Sequence, residues 1–209
     1  MAKKKYLDIK IQPEKAGLRL SDNELIALIR EKDSNRYSEI IERYQGKLFA
    51  YLFRLIGNRE EAEDLLQDVF IKAYKNINSY DTSRKFSSWI YRIAHNEAVN
   101  FIKRRYLKKF ISWEDISSTK DKMEAKSMDD GPDEIWLKKE STEGVGEAIQ
   151  KLPLKYRQVL LLRYFSDKSY EEISEILGKP LNTVGTLINR AKKKLAAEVI
   201  ENKKLQKIK

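Results

Sequence analysis

The sequence predicts an all-α protein in which two small helical domains are joined by an acidic flexible linker, the C-terminal domain being a helix-turn-helix. Three observations predict this fold class. Apolar residues recur at helical spacing along most of the chain, and no useful length alternates with the period of two that marks a strand. A polar run rich in Asp, Ser, Lys and Glu separates two such helical regions. At 209 residues, the chain has room for one or two domains.

The charge distribution divides the chain into segments. We expect a basic arm over 1–20, a helical domain over 21–110, the acidic linker over 111–144, a second helical domain over 145–200 and a basic tail over 201–209. The linker has 5 basic and 10 acidic side chains, whereas residues 145–209 have 14 basic and 7 acidic. A basic C-terminal block, in a chain of net charge +10, favours an anionic partner.

Four helices are expected in the first domain. Two capping pairs predict the starts of the first and third helices: Ser21 with Glu24, and Asn58 with Glu61. The second helix is expected to end at Gly57, because glycine accepts the left-handed conformation that closes a helix. A polar loop over 76–85 leads into a fourth helix from about Phe86 to Arg105.

The fourth helix and the loop before it carry residues that suit nucleic acid. The helix has a polar stripe made of Arg92, Asn96, Asn100 and Lys103, and the loop contributes Tyr80, Ser83, Arg84 and Lys85. An aromatic ring among cations can stack on or cradle unpaired bases. The alternative is an ordinary amphipathic helix with Tyr80, Phe86 and Trp89 in the core. For Phe86 and Trp89, which point inward on the helical wheel, this core position is the better interpretation.

The third helix has an acidic face made of Asp64, Gln67 and Asp68, which lie beyond its first turn at spacing i, i+3, i+4. One interpretation is a solvated surface, and the other is a docking face for a protein partner that presents arginine. The residues alone support these two interpretations equally.

The C-terminal third predicts the helix-turn-helix. Ser169 and Glu172 form a capping box, Gly178 ends that helix and Pro180 prevents its continuation. The second helix has an apolar seam through Val184, Ile188, Ala191 and Leu195, and an opposite face with Thr183, Thr186, Asn189, Arg190 and Lys193. Such side chains can contact base edges or phosphates in a major groove. A helical hairpin with a solvated face is the alternative.

Several classes of protein are disfavoured by composition. The absence of cysteine excludes disulfides, thiolate zinc sites and cysteine nucleophiles. An enzyme would need carboxylates or histidines converging on a metal or a scissile bond, and the only histidine is His95. We therefore expect no catalytic residues, no metal, no cofactor and no small-molecule substrate. No stretch approaches the length of a membrane span, so a soluble cytoplasmic protein is expected.

Four segments in this order resemble the extracytoplasmic-function sigma factors of bacterial RNA polymerase. They are Asp64-Leu65-Leu66-Gln67-Asp68-Val69-Phe70, the run from Phe86 to Asn96 with Asn100, Leu152-Pro153 with Tyr156-Arg157-Gln158-Val159-Leu160, and the helix-turn-helix. The resemblance covers roughly residues 21–200. It implies a region 2-like domain over 21–110 and a region 4-like domain over 145–200.

The resemblance also implies partners and residue roles. The face at Asp64, Gln67 and Asp68 would dock on the β′ clamp helices of core polymerase. The β subunit of the polymerase is a second implied partner. The loop over 80–85, with Asn96 and Asn100, would capture and help open the −10 promoter element. The helix-turn-helix would read the −35 element, and the linker would lie where nascent RNA exits. An anti-sigma factor is a further implied partner.

Two neighbouring positions depart from the family pattern. Gly185 stands where members usually have a basic residue, and Leu187 follows in place of a second cation. We therefore expect −35 readout to depend more on Thr186, Asn189 and Arg190. A stand-alone transcription regulator is the main alternative function, and it should bind its operator tightly without polymerase.

Overall fold

A computed structural model of the chain describes residues 20–31, 33–114 and 145–206. The helices in these ranges are α1 (Asp22–Glu31), α2 (Tyr37–Ile56), α3 (Arg59–Lys75), α4 (Phe86–Glu114), α5 (Val145–Lys151), α6 (Leu154–Leu160), α7 (Tyr170–Leu177) and α8 (Leu181–Gln206). Short 3₁₀ turns cover Ser34–Arg36 and Ile77–Ser79, and a π-helical turn, Leu161–Phe165, extends α6. No strand occurs in the described ranges, so the all-α prediction is confirmed.

The predicted linker and the two termini lie mostly outside the described residues. Two helices nevertheless run past the expected domain limits. Helix α4 continues to Glu114, into the predicted linker, and α8 continues to Gln206, into the predicted tail. Neither extension contains glycine or proline, so nothing in the sequence ends the helix earlier. Residues 1–19, 32, 115–144 and 207–209 are outside the described ranges, and the division into five segments stays a prediction.

The predicted caps are present in the first group of helices. The Ser21 N–H donates to Glu24 Oε2 (2.8 Å), and the Glu24 N–H donates to Ser21 Oγ (3.3 Å). At the start of α3, Asn58 Oδ1 accepts from the Glu61 N–H (3.0 Å). Gly57 closes α2 with a φ of 84°. Each contact satisfies a backbone group that a helix end leaves unpaired.

Helix α2 is the centre of the first core, and α3 and α4 pack against it. Its Leu48, Leu52 and Leu55 are fully buried. Burial of each such side chain contributes about 1.5–3 kcal/mol, which far exceeds the helix propensity of any one residue. Phe86 is also buried and Trp89 packs against the same core, which confirms the core interpretation of these two aromatics.

The second group of helices forms the predicted helix-turn-helix. Ser169 and Glu172 make a reciprocal capping box at the start of α7, and Gly178 ends that helix in the left-handed conformation. The seam residues Val184, Ile188 and Ala191 are fully buried, so α8 packs against the group through the predicted face.

The two groups touch each other. Helix α7 lies on α4, and α5, α6 and the π-helical turn lie against α2. Lys168 places its ammonium 4.6 Å from the centroid of the Tyr91 ring, and the Lys85 ammonium lies 3.6 Å from Glu172 Oε1. None of the described helices is both long enough and apolar enough to cross a membrane.

Candidate polymerase and nucleic-acid interfaces

The acidic face of α3 is exposed, and its two carboxylates form no ion pair with the residues that the structure describes. Asp64, Gln67 and Asp68 are all exposed. Two neighbouring acids are engaged elsewhere: the carboxylate of Glu61 lies 2.9 Å from Nη1 of Arg105, and that of Glu63 lies 3.0 Å from Nε of Arg59. Among the described residues, neither Asp64 nor Asp68 has an ion-pair partner. The face therefore presents two carboxylates able to pair with cations of another protein.

This face continues with an apolar residue, Ile71, which the sequence analysis did not identify. Ile71 lies one turn beyond Gln67 and is 52% exposed, which is unusual for an isoleucine in a packed helix. The nearby Tyr74 is 44% exposed, but its ring packs 4.9 Å from that of Tyr37. The signal in the sequence is that Ile71 falls outside the buried stripe of α3, which includes Ala62, Leu65 and Val69.

The loop before α4 presents its predicted polar residues to solvent. Ser83, Arg84 and Lys85 are exposed. Asp81 folds the loop, because its Oδ1 accepts from the Ser83 N–H (3.0 Å) and its carbonyl oxygen accepts from the Arg84 N–H (3.1 Å). The Ser83 N–H holds the pKa of Asp81 below its ordinary value. The three exposed side chains are thus carried on a defined turn.

Tyr80 differs from the expectation. Its side chain is only 3% exposed, and its ring centroid lies 5.3 Å from those of both Phe86 and Trp89. The expectation that this ring meets DNA is therefore corrected, because the ring fills the core beneath the loop. Tyr80 shapes the loop from below, and stacking on a base would require the ring to leave this packing.

The polar stripe of α4 is exposed along its whole length. Arg92, Asn96, Asn100 and Lys103 all face solvent. In the described part of the chain, neither Arg92 nor Lys103 forms an ion pair. Half-buried Trp89 lies one turn before Arg92, at the edge where the loop meets the helix. The loop and the stripe thus both present polar side chains to solvent: cations and a hydroxyl from the loop, and cations and amides from the helix.

The face of α8 expected to read DNA is exposed as well. Thr183, Thr186, Asn189, Arg190 and Lys193 are all accessible to solvent. The Thr186 hydroxyl donates to the Asn182 carbonyl oxygen (2.9 Å), which leaves its lone pairs and its methyl group for contacts outside the helix. Arg190 and Lys193 have no ion-pair partner within the described ranges.

Gly185 borders this face on the side of α7. A Cβ at this position would lie 3.8 Å from the Tyr170 ring, which is an ordinary van der Waals distance. A larger side chain at 185 would therefore leave the helix along Tyr170. Its effect on DNA contacts stays a prediction.

His95 is a buried structural residue. Its Nδ1 lies 3.0 Å from the Tyr51 hydroxyl, and burial, with the charge of Lys179, lowers its pKa to about 4. The imidazole is therefore neutral near pH 7. Within the described ranges, no three acidic or histidine side chains are arranged to hold a metal ion.

These surfaces are typical of a class of bipartite DNA-binding proteins: one half has a helix-turn-helix, and the other has a cationic loop and helix and a separate exposed acidic face. The chain matches the family models for Sigma-70 region 2 over residues 40–107 and Sigma-70 region 4 over residues 142–195. It is 35% identical over 176 residues to the ECF RNA polymerase sigma factor SigW of Bacillus subtilis, covering 83% of this chain and 94% of that protein.

Other relatives agree. The chain is 30% identical over 192 residues to the ECF RNA polymerase sigma-E factor of Escherichia coli K12, covering 88% of this chain and 94% of that protein. A solved structure of CnrH in complex with the cytosolic domain of CnrY shares the fold, with a TM-score of 0.61, 20% identity and coverage of 84% of this chain and 95% of that one. The chain belongs to the extracytoplasmic-function sigma factors and directs RNA polymerase to promoters.

Proposed function

We propose that this sigma factor divides its work among three surfaces. The acidic face of α3 binds core polymerase, the loop over 80–85 with the stripe of α4 binds the −10 element, and the exposed face of α8 reads the −35 element. The observation that carries this assignment is that the charged residues of these surfaces are exposed, while their neighbours Glu61 and Glu63 are paired within the chain.

Core polymerase is the proposed partner of Asp64, Gln67 and Asp68, through an arginine-bearing surface of its β′ clamp helices. Two exposed carboxylates that flank an amide, and that have no ion-pair partner among the described residues, suit bidentate pairing with arginine. Exposed Ile71 adds an apolar contact at the end of this face. The β subunit is proposed as a second point of contact on polymerase.

Unpaired −10 DNA is the proposed ligand of the loop and of the α4 stripe. Arg84, Lys85 and Arg92 supply positive charge for the backbone. Asn96 and Asn100 supply amides that can bond base edges, and Ser83 adds a hydroxyl at the tip of the loop. Tyr80 supports this surface from within the core.

Duplex −35 DNA is the proposed ligand of α8. Arg190 can donate to guanine O6 and N7, and Asn189 can pair with adenine, so these two residues are assigned to base readout. Lys193 and Thr183 are assigned to phosphates at the two ends of the face, where they set the register of the helix on DNA.

We also propose that an anti-sigma factor holds this chain inactive in the cytoplasm. The solved RpoE of Bartonella quintana, whose fold this chain shares at a TM-score of 0.60 and 20% identity, is bound to the anti-sigma factor NepR. We infer that the chain is a regulator without catalysis of its own, and that it uses no cofactor and no small-molecule substrate. The neutral, buried state of His95 supports this inference.

The test is reconstitution with core polymerase and three sets of variants. Asp64→Asn with Asp68→Asn should weaken core binding about tenfold or more and leave DNA selectivity unchanged. Arg190→Ala should cost about 1–3 kcal/mol in −35 recognition and spare core binding. Arg92→Ala should reduce promoter opening. Glu60→Gln, an exposed acid in the first turn of α3, is the matched control and should change none of these.

Two outcomes would count against the proposal. Unchanged core affinity in the Asp64 and Asp68 variant would remove the polymerase assignment. Tight, selective binding of duplex DNA by the isolated chain, without any effect of core polymerase, would favour a stand-alone regulator.

A further inference from the structure

Helix α1 holds the loop that is proposed to bind −10 DNA. Arg30 donates from Nε to the Ile77 carbonyl oxygen (3.0 Å) and from Nη2 to the carbonyl oxygens of Ile77 and Tyr80 (2.5 Å each). Asn23 donates from Nδ2 to the Thr82 carbonyl oxygen (2.9 Å). Two side chains of α1 therefore bind three backbone carbonyl groups of the segment that leads to Ser83.

Tyr80 completes this arrangement. Its hydroxyl lies 2.7 Å from Asn23 Oδ1 and 2.5 Å from the Arg84 carbonyl oxygen, so its single proton can serve either acceptor. The Arg30 guanidinium also lies 5.8 Å from the centroid of the Tyr80 ring. The backbone from Ile77 to Arg84 is thus tied to α1 along most of its length.

Helix α1 is itself fixed on the core. Leu25 and Ile26 are fully buried, and Asp22 accepts from Arg43 Nη1 (2.8 Å) and from the Tyr44 hydroxyl of α2. The helix lies outside the segment matched by the region 2 family model, which begins at residue 40. The contacts that shape the loop therefore come from a part of the chain that this family model does not cover.

We propose that Asn23 and Arg30 are positioning residues that set the base selectivity of the loop for unpaired −10 DNA. This inference rests on the proposed function of the loop. Selective hydrogen bonding to bases requires donors and acceptors held in one geometry, and the loop obtains that geometry from α1. Ser83, Arg84 and Lys85 touch the DNA, while Asn23 and Arg30 act through the backbone that carries them.

The experiment is a selection with holoenzyme on promoter DNA in which the −10 hexamer is randomised. For the wild type, single-base substitutions in the preferred hexamer should reduce binding about tenfold or more. In Asn23→Ala and Arg30→Met, the ratio of affinity for the preferred hexamer to affinity for the substituted hexamers should fall several-fold. The affinity for core polymerase should remain within about twofold of the wild-type value. Arg30→Lys keeps the charge but replaces the planar fork of Nε and Nη2 by a single ammonium group, so its selectivity should be intermediate.

Two further variants separate positioning from folding. Tyr80→Phe keeps the ring in the core and removes only the hydroxyl. Like the two α1 variants, it should lower the base selectivity for the −10 hexamer. Glu31→Gln changes an exposed residue of α1 and should behave as the wild type. Thermal unfolding of each variant reports on the fold.

The outcomes distinguish the two proposals. Suppose that the wild type is selective and that Ser83→Ala or Arg84→Ala alters the preferred hexamer. If the α1 variants and Tyr80→Phe then show the same base selectivity as the wild type, the positioning role is wrong. If the loop variants themselves leave the preferred hexamer unchanged, the function proposed for the loop is wrong.

Discussion

Arg157 caps the end of helix α2 from the other half of the molecule, donating from Nη1 to the Leu55 carbonyl oxygen (3.0 Å). Gln150 serves the preceding residue, donating from Nε2 to the Arg54 carbonyl oxygen (2.6 Å). The last carbonyls of a helix have no partner within it, and a cation placed there is favoured by the helix dipole. Two side chains of the helix-turn-helix half thus complete a helix of the other half.

Replacing Arg157 should destabilise both halves. Its guanidinium also donates to Gln150 Oε1 (2.9 Å) and to the Leu152 carbonyl oxygen (3.1 Å). Arg157→Met removes these bonds while keeping much of the side-chain volume, and should lower the free energy of unfolding by about 2–4 kcal/mol. Urea unfolding measures this. Lys155→Met is the control and should remain within about 0.5 kcal/mol of wild type.

The contact between the halves should loosen in the same variant. Because the chain has no cysteine, a pair of dyes can be attached at cysteines introduced at exposed Lys75 and Glu175. Energy transfer between the dyes should change in Arg157→Met relative to the wild type and to Lys155→Met. Identical transfer in all three proteins would show that Arg157 does not hold the halves together.

The carboxylate of Glu172 lies near cations from both halves, Lys168 and Lys85. Its carboxylate accepts from the Ser169 N–H (2.8 Å) and lies 3.9 Å from the ammonium of Lys168, which is only 8% exposed. Burial acts to raise the pKa of Glu172, but the Ser169 N–H, Lys168 and Lys85 together hold it below its ordinary value. Burial lowers the pKa of Lys168, and Glu172 opposes that effect.

Replacing Glu172 by a neutral side chain should therefore lower the stability of the fold even when its hydrogen bond to the Ser169 N–H is kept. Glutamine can still accept from the Ser169 N–H, but it leaves the buried Lys168 ammonium without its counter-charge. We expect Glu172→Gln to lower the free energy of unfolding by about 1–3 kcal/mol. Denaturant titration measures the change, with Glu171→Gln on the exposed side of α7 as control. Equal stability of the two variants would contradict the role given to the carboxylate.

Stability should fall in mildly acidic solution because of His95. Its pKa is lowered to about 4 by burial and by Lys179, from an ordinary 6.5, so the unfolded chain binds a proton that the folded chain rejects. The loss should begin as pH falls through about 6.5 and level off near pH 4, reaching about 3 kcal/mol. About 1 kcal/mol should be lost by pH 5.5.

A His95→Gln variant isolates this contribution. Urea unfolding at several pH values between about 7.5 and 4 should show a shallower pH dependence in the variant than in the wild type. The remaining slope belongs to carboxylates such as Glu172, whose pKa is lowered in the folded state. Parallel profiles for the two proteins would mean that the His95 imidazole does not reject a proton in the folded state.

The local parts of the fold could be predicted because their signals are local. Ser169 with Glu172, and Gly57 or Gly178 at a helix end, lie within a few residues of the backbone groups they satisfy. The apolar seam of α8 follows from helical periodicity alone. The family resemblance rests on motifs of the same short range, which is why the sequence alone indicates the class of protein.

Contacts between distant residues could not be predicted. Arg157 and Leu55 are 102 positions apart, and no periodicity relates them. The pairing of Glu61 with Arg105 depends on how α3 crosses α4, so the sequence could not show which acids of α3 remain free. The burial of Tyr80 could not be decided from the sequence, because a helical wheel says nothing about a loop residue, whose burial depends on the helices packed beneath it.

Two glycines of the helix-turn-helix should respond in opposite directions to alanine. Gly185 lies inside α8, and its added Cβ would make an ordinary contact of 3.8 Å with Tyr170. Gly185→Ala should therefore raise the free energy of unfolding by about 1 kcal/mol, since glycine weakens a helix interior. Gly178 has a φ of +60°, which disfavours alanine although space is open around it. Gly178→Ala should lower stability by about 1 kcal/mol. Thermal melts of both variants measure the pair, and a lower melting temperature for Gly185→Ala would indicate that α8 needs glycine to pack against α7.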